Sequence, residues 1–148
     1  MSHKSPQRLA LATYARLTRA ANAARSHAAS HLGDSGLTLT QFAVLEALYH
    51  VGPMSLSDIA QKILTTGGNL TMVVGNLEKL GLAFRQKCAE DRRLLIVVLT
   101  PKGKALLRKL FPQHAVAIVE FMGALSPAEQ EHLATLCRQL GAQDPPSS

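Results

Sequence analysis

The chain has 148 residues, enough for one domain with a modest core, and 47% of them are hydrophobic, which is typical of a folded protein rather than a disordered one. Aromatic residues make up only 4%, which argues against a protein that stacks single-stranded bases on aromatic rings. The formal net charge of +6 is unevenly distributed, because residues 53–109 carry ten lysines and arginines against four acids while residues 110–148 carry one against four. Such a basic segment is typical of modules that contact phosphates, although a solvated basic surface is a common alternative.

The cysteines and the N-terminal sequence indicate the cellular compartment. Cys88 and Cys137 are the only cysteines, too few for a disulfide framework. The N-terminal sequence has no unbroken apolar segment of the kind found in secretory signals, and no apolar run approaches the ~18 residues that span a bilayer. We therefore expect a soluble protein of a bacterial or archaeal cytoplasm that does not bind membranes.

Two helices are predicted in the N-terminal third of the chain. Residues 6–32 are alanine-rich with apolar side chains at helical spacing, and Gly33 follows the end of this helix. Thr38 and Gln41 have the spacing of a capping box, which begins a second helix that ends at His50. The predicted buried residues of the second helix are Phe42, Leu45 and either Leu48 or Tyr49.

Two short capped helices are predicted next. Ser55 is the cap of a third helix that ends near Ile63. Thr66 is the predicted cap of a fourth helix, which runs from Gly67 to Leu80. The inward face of the fourth helix consists of Leu70, Val73, Val74 and Leu77.

A β-hairpin follows these helices. One strand starts at Leu82, the β-branched run from Leu94 to Leu99 is the return strand, and the polar segment from Gln86 to Arg93 connects them. A short helix, a turn, a second helix and a basic hairpin match the shape of a winged helix-turn-helix. Such a unit places its second helix in the major groove of DNA and its hairpin, the wing, beside the duplex.

Two further helices are predicted after the hairpin. Thr100 caps the fifth helix, and Pro112 must kink or interrupt it because proline lacks a backbone donor and clashes with the preceding turn. Ser126 opens a sixth helix with a capping box, and that helix runs to Leu140. Cys137 is predicted to belong to the helix core, and residues 142–148 are predicted to be a flexible tail.

The fourth helix carries the predicted groove contacts. Asn69 and Asn76 have the side chain that pairs bidentately with adenine, and Thr71 or Met72 can touch a thymine methyl. Glycines remove side chains where a helix must approach a phosphate closely. We therefore predict DNA contacts from Thr66, Gly67, Gly68, Asn69, Thr71, Met72 and Asn76. The alternative is an ordinary amphipathic helix with a solvated polar face.

The hairpin tip carries a second set of predicted contacts. Asp91 and Arg93 are two residues apart, so in an extended segment both point to one side, where the carboxylate can orient the arginine. An arginine at a hairpin tip suits the narrow minor groove, where the negative potential is strongest. The predicted DNA-contacting residues of the wing are Arg85, Lys87, Asp91, Arg92 and Arg93. A solvated charge cluster is the alternative.

From Leu37 to Leu107 the chain resembles the multiple-antibiotic-resistance regulator (MarR) family, in the segments LTLTQFAVLEAL, SLSDIAQKI, NLEKLGL, EDRRLLIVVLT and PKGKALL. The resemblance implies one mainly α domain over residues 1–148 with a small β-hairpin wing. Its winged helix-turn-helix core would be residues 37–100, and residues 6–35 and 101–141 would form a helical dimerisation lobe. It further implies a homodimer that binds a pseudo-palindromic operator in double-stranded DNA. Many relatives have a basic residue or serine at positions 67 and 68 and an arginine at position 72, so the operator sequence cannot be transferred.

The resemblance also implies regulation by a small aromatic or anionic effector that releases a repressor from DNA. The effector site would lie where the first, second and fifth helices meet the DNA-binding lobe, with Tyr14, Arg16 and His50 as candidate lining residues. Oxidation is the competing trigger, because the cations of the wing favour a thiolate at Cys88. An inert wing cysteine is the favoured interpretation, and the cysteine that some relatives carry in the first helix is absent.

No catalytic site is predicted, since the sequence lacks the Gly-x-Ser-x-Gly, Walker, His-Glu-x-x-His and dinucleotide-binding motifs. No cofactor is expected. His27 and His31 are four residues apart and could hold a metal from one helix face, but without a carboxylate nearby a surface pair is favoured and no metal is predicted. Two hypotheses of function remain, a dimeric ligand-responsive repressor and a winged-helix adaptor that binds proteins and does not read DNA.

Overall fold

The computed structural model describes residues 5–63 and 69–143. The fold is mainly α, with a small antiparallel sheet. The helices of these ranges are α1 (Pro6–Ala29), α2 (Leu39–Val51), α3 (Leu56–Ile63), α4 (Leu70–Lys79), α5 (Pro101–Met122) and α6 (Pro127–Gly141). The strands are β1 (Met54–Ser55), β2 (Ala83–Lys87) and β3 (Leu95–Leu99). No helix within the described ranges is long and apolar enough to cross a membrane.

Side-chain caps fix where the helices begin. The Thr38 hydroxyl accepts a hydrogen bond from the backbone N–H of Gln41, and the Gln41 side chain accepts one from the backbone N–H of Thr38. Ser126 forms the same reciprocal pair at the start of α6, and Thr100 caps α5. These predicted caps are confirmed, as is the cap at Ser55.

The sheet has the strand order β1-β3-β2, and both pairs are antiparallel. The predicted hairpin is confirmed as β2 and β3. The two-residue strand β1 was not predicted. It forms because Met54 and Ser55 pair with Val97 and Ile96 of β3, which closes the sheet beside α3.

One hydrophobic core joins α2, α3, α4, the sheet and the first half of α5. Its fully buried side chains include Phe42, Leu45, Ile59, Leu77, Val97 and Leu107. Gly103 is essential to this packing, because a Cβ atom there would lie 2.2 Å from the Leu82 carbonyl oxygen. The first turn of α5 is therefore in close contact with the segment that links α4 to the wing.

Several predicted boundaries are wrong. The fourth helix begins at Leu70 rather than Gly67, because Asn69 is extended and caps it by accepting the N–H of Met72 at 3.4 Å. The predicted cap Thr66 lies outside the described residues. The first predicted helix is α-helical only to Ala29 and ends in a 3-10 turn over Ser30–Leu32.

The structure also decides three further expectations. The sequence predicts that Pro112 either kinks or interrupts the fifth helix. The helix continues through Pro112, so it is not interrupted. Of the two alternatives Leu48 and Tyr49, Leu48 is buried and Tyr49 is exposed. The core-facing side of α2 is filled by Val44, Leu45, Ala47 and Leu48. Cys137 is exposed, since α6 buries no residue against its own chain.

Candidate nucleic-acid interface

The helix α4 presents one polar face to solvent. Val74 and Leu77 are buried and anchor the opposite side of this helix in the core. Met72, Asn76 and Lys79 are exposed and follow one another at the spacing of helical turns. Thr71 and Asn69 are also exposed, whereas the predicted contacts Thr66, Gly67 and Gly68 lie outside the described residues. The helix can therefore enter a groove with this face while its apolar side holds it to the protein.

The two asparagines of this surface differ in what they can do. The Asn69 side-chain oxygen is engaged in the cap of α4. A bidentate pair with adenine needs both the oxygen and the nitrogen of the side-chain amide. Asn76 lies in the middle of the exposed face, and its side-chain amide does not take part in the cap of α4. It is the better placed of the two for reading a base edge.

An ion pair joins the wing to α4. The Arg85 Nε of β2 donates to Oε1 of Glu78 at 2.6 Å, and each side chain is about 30% exposed. A Cβ atom placed on Gly75 would lie 4.0 Å from the Nη2 atom of Arg85. The guanidinium group therefore lies along the side of α4. Arg85 thus points back to the helix rather than outward from the wing. The sequence predicts Arg85 as a DNA contact but does not identify Glu78 as its partner.

The wing tip holds the predicted arginine and carboxylate together. Asp91 accepts hydrogen bonds from the backbone N–H of Arg93 at 3.0 Å and from its Nε at 3.2 Å. The Arg93 side chain and then its backbone N–H lower the pKa of Asp91, so this carboxylate stays ionised. The Arg93 side chain is 91% exposed, and Arg92 and Lys87 are exposed nearby. The tip can therefore offer an arginine of fixed orientation.

The start of α5 holds the end of α4. The Lys102 ammonium donates to the Leu80 carbonyl at 2.9 Å, and the Thr100 hydroxyl donates to the Gly81 carbonyl at 2.7 Å. Gly81 permits the sharp turn between α4 and β2, since its φ of +73° is readily reached only by glycine. A cation at the last carbonyls of a helix also complements the helix dipole. Lys102 was not singled out from the sequence.

The predicted effector residues are not together. Tyr14 and Arg16 are exposed on α1. His50 lines a cleft of about 480 Å³ between α2, α3 and α5. The cleft is lined by Leu39, Phe42, Ala43, Glu46, Ala47, His50, Lys62, Ile63 and His114.

The structure also locates the predicted redox residue, Cys88, and the two histidines that were considered as metal ligands, His27 and His31. Cys88 is half-buried in the wing, where its backbone N–H donates to the Leu94 carbonyl, and its role as a sensor remains a prediction. The His27 ring lies against the Phe121 ring at a tilt of 42°, with centroids 4.9 Å apart. His31 is half-buried, so the expected surface pair is not formed. In the part of the chain that the structure describes, no three potential ligands are grouped so as to hold a metal.

Comparison with known proteins agrees with this geometry. A family model described as MarR family matches residues 35–94. Over 125 residues, the chain is 39% identical to the HTH-type transcriptional regulator MhqR of Bacillus subtilis (strain 168), a match that covers 84% of this chain and 86% of that protein.

Solved structures give the same result. BpsR of Bordetella bronchiseptica, whose DNA binding is regulated by 6-hydroxynicotinic acid, matches with a TM-score of 0.79 and 30% identity over 97% of this chain and 99% of that chain. Sco3205 of Streptomyces coelicolor, a MarR family regulator in complex with DNA, matches with a TM-score of 0.83 over 99% of this chain and 93% of that chain. At 23% identity this second likeness shows the fold alone. The chain belongs to the MarR family and is a DNA-binding transcriptional regulator with a winged helix-turn-helix fold.

Proposed function

We propose that this regulator is a homodimeric repressor that binds a pseudo-palindromic operator and is released by a small-molecule effector. The observation that carries the proposal is the ion pair between Arg85 and Glu78, which holds the wing and the exposed face of α4 in one fixed arrangement. Two such units related by two-fold symmetry would match two half-sites about one helical turn, ~34 Å, apart.

The need for a partner chain follows from the apolar faces that a single chain leaves uncovered. Helix α6 buries no residue, and its exposed leucines at 133, 136 and 140 recur at helical spacing. On α1, Leu9, Leu11 and Tyr14 are each more than half exposed. Large exposed apolar patches mark protein interfaces, and a second copy of the chain is the occupant that two-fold DNA reading requires. Residues 6–35 and 101–141 are the proposed dimerisation segments.

The DNA contacts divide between the two grooves. Asn76, Met72 and Thr71 are proposed to read base edges in the major groove, with Lys79 on a phosphate. Arg93, oriented by Asp91, is proposed to enter the minor groove. Arg92 and Lys87 are exposed cations of the wing and are proposed to contact phosphates. We also propose DNA contacts from the four residues that precede α4 in the sequence, Thr66, Gly67, Gly68 and Asn69.

The effector is proposed to bind the cleft between α2, α3 and α5. The cleft lies between the helices of the proposed dimerisation lobe and those of the DNA-binding unit, so an occupant there can change their relative position. BpsR, a structural relative, is regulated by 6-hydroxynicotinic acid, an aromatic acid. Of the residues predicted from the sequence only His50 lines the cleft, and Tyr14 and Arg16 remain predictions for the assembled dimer. A tenfold loss of operator affinity needs only ~1.4 kcal/mol of differential binding.

DNA selection followed by footprinting tests the proposal. The protein is used to select binding sites from random duplexes, and an inverted repeat protected by two chains is expected. A winged-helix adaptor that binds proteins would select no sequence and would show no steep loss of DNA affinity with salt. Titration with peroxide of the wild type and of Cys88→Ser separates effector release from oxidation, because release by peroxide that disappears in Cys88→Ser would replace the effector model.

A further inference from the structure

Three consecutive carbonyl groups in the turn after α4 accept hydrogen bonds from the start of α5. The Lys102 ammonium donates to the Leu80 carbonyl at 2.9 Å, and the Thr100 hydroxyl donates to the Gly81 carbonyl at 2.7 Å. The Thr100 backbone N–H donates to the Leu82 carbonyl at 3.0 Å. The two side-chain bonds join residues 22 and 19 positions apart. The turn of residues 80–82 is therefore attached to α5 along its whole length.

The packing around this turn restricts its movement relative to α5. The Thr100 hydroxyl also accepts the Gly103 N–H at 3.0 Å, so its one hydrogen is directed to the Gly81 carbonyl. A Cβ atom placed on Gly103 would lie 2.2 Å from the Leu82 carbonyl oxygen, so the two backbones are in close contact. The Lys102 side chain crosses Gly81, since its Cδ and Nζ atoms would each lie 3.8 Å from a Cβ atom placed there.

The Lys102 contact acts on the end of α4 itself. Leu80 is the C-cap of α4, and the last carbonyl groups of a helix lack intrahelical donors and carry a partial negative charge. The Lys102 ammonium supplies both a donor and a positive charge at this end. Lys102 is exposed, so the interaction contributes little to the free energy of unfolding. Its loss should therefore change the placement of α4 more than the stability of the fold.

The end of α4 lies one helical turn from the proposed reader of a base edge. The Leu80 N–H donates to the Asn76 carbonyl at 3.1 Å, so a shift of Leu80 is passed to Asn76 through the helix. A bidentate pair with adenine requires two hydrogen bonds of good length and direction at once. A small displacement of Asn76 therefore weakens base reading while the exposed cations of the protein can still meet phosphates.

We propose that Lys102 is a positioning residue for DNA recognition, which holds the end of α4 against α5 so that Asn76 meets a base edge in the major groove. The proposal rests on the proposed contacts of α4 with the operator. It adds a residue that controls operator affinity through Leu80, without touching the DNA.

A direct contact between Lys102 and a DNA phosphate is the alternative that an experiment must separate. Loss of a phosphate contact weakens binding to all sequences about uniformly and lowers the slope of log affinity against log salt by about one. Loss of a positioning contact weakens base reading, so affinity should fall more for the operator than for an unrelated duplex. The salt slope should then remain nearly unchanged.

Fluorescence anisotropy of the full chain, with a selected operator and with an unrelated duplex of equal length, tests the proposal. Lys102→Met keeps the alkyl chain over Gly81 and removes the charge and the donor. We expect about a tenfold loss of operator affinity, within the range for one good base contact, and a smaller loss for the unrelated duplex. Lys102→Arg retains a charged donor and should restore operator binding.

Lys104→Met is the matched control, because Lys104 is another exposed lysine near the start of α5 and its substitution removes the same charge. It should leave the ratio of operator affinity to unrelated-duplex affinity at the wild-type value. Amide hydrogen exchange in the absence of DNA provides a second measurement. The amides at the end of α4 should exchange faster in Lys102→Met than in the wild type or in Lys104→Met.

Three results would overturn the proposal: wild-type operator affinity in Lys102→Met, equal losses for both duplexes with a reduced salt slope, or no restoration by Lys102→Arg. Should Lys102→Met not fold, Lys102→Gln replaces it with the same expected results. A wild type that selects no operator contradicts the proposed function and this inference together. A wild type that selects an operator, beside an equally tight Lys102→Met, contradicts the inference alone.

Discussion

The guanidinium of Arg85 and the carboxylate of Glu78 meet at 2.6 Å, which links the first wing strand to the second half of α4. This ion pair favours one relative position of the two DNA-reading elements before DNA is bound. Preorganisation of this kind lowers the ordering cost of association. The same pairing gives Arg85 a role different from that of the exposed wing cations, and the two roles can be separated experimentally.

Arg85→Ala and Lys87→Ala should both weaken operator binding, with different salt dependence. Lys87 is exposed on the wing, so its loss removes a phosphate contact and should reduce the slope of log affinity against log salt by about one. Arg85 is engaged by Glu78, so its loss should misplace the wing and leave the slope nearly unchanged. Fluorescence anisotropy at several salt concentrations measures both slopes. Equal reductions in slope would make Arg85 a phosphate contact.

Arg93→Ala should reduce operator affinity by about 1–3 kcal/mol, the range expected for a good groove contact. The melting temperature should not change, because the side chain is 91% exposed and its ion pair with Asp91 is a surface one. Asp91→Ala should cause a smaller loss of affinity, since the arginine remains but loses its fixed orientation. Gel-shift titration with melting curves gives both quantities, and parent-like operator binding by Arg93→Ala would exclude the wing contact.

Local features of this chain could be predicted from the sequence, and features that depend on distant pairing could not. The capping boxes at Thr38 and Ser126 involve residues three positions apart, so the sequence alone determines them. The same is true of Asp91 and Arg93. Strand β1 exists only because β3 lies beside it, about forty residues later. The predicted start of α4 is wrong because Thr66 and Asn69 are both residue types that favour helix caps, and the structure uses Asn69.

The features of the candidate DNA-binding site also separate into local ones, which the sequence predicts, and ones that depend on contacts between distant residues. The exposed face of α4 follows from helical periodicity, and its described residues lie where that periodicity predicts. The contact from Lys102 to Leu80 spans 22 residues, and the cleft brings His50 of α2 beside His114 of α5. These contacts arise from the packing of α5 against the DNA-binding unit, for which the sequence has no local pattern. An acid and an arginine flanking the turn after α4 were the available signal for the pair of Glu78 and Arg85.

Gly103→Ala should destabilise the protein by about 1–3 kcal/mol, the usual cost of overpacking. The added methyl group would meet the Leu82 carbonyl oxygen at 2.2 Å and the Leu99 side chain at 2.8 Å, so α5 must shift away from the wing. Gly33→Ala is the matched control, because nothing lies within 4 Å of a Cβ at that position. Urea unfolding of both variants measures the difference. Equal stability of the two would show that α5 tolerates displacement.

Leu136→Glu should convert the protein from a dimer to a monomer. Leu136 lies in the exposed apolar row of α6, where a carboxylate would be buried without a partner in the proposed interface. Light scattering should give twice 15.9 kDa for the wild type and 15.9 kDa for the variant. Arg138→Glu is the charge control on the same exposed helix and should remain dimeric. A wild-type mass of 15.9 kDa at all concentrations would contradict the homodimer.

The stability of the protein should fall as the pH drops below about 6.5, the ordinary histidine value. Burial and the neighbouring His114 lower the pKa of His31 in the folded chain, so in this window the unfolded chain binds more protons. The free energy of unfolding therefore decreases with falling pH until the folded-state pKa is reached, and above pH 6.5 this contribution is constant. Urea unfolding at about pH 7.5 and pH 5.5 measures the loss.

His31→Gln removes the titrating group and should make the unfolding free energy less sensitive to acid between those two pH values. His132→Gln is the matched control, because His132 is exposed on α6. It should retain the wild-type sensitivity. The physical reason is that burial and the nearby His114 ring both disfavour the protonated form of His31 in the folded chain. An identical loss of stability in wild type and His31→Gln would assign the acid sensitivity to other groups.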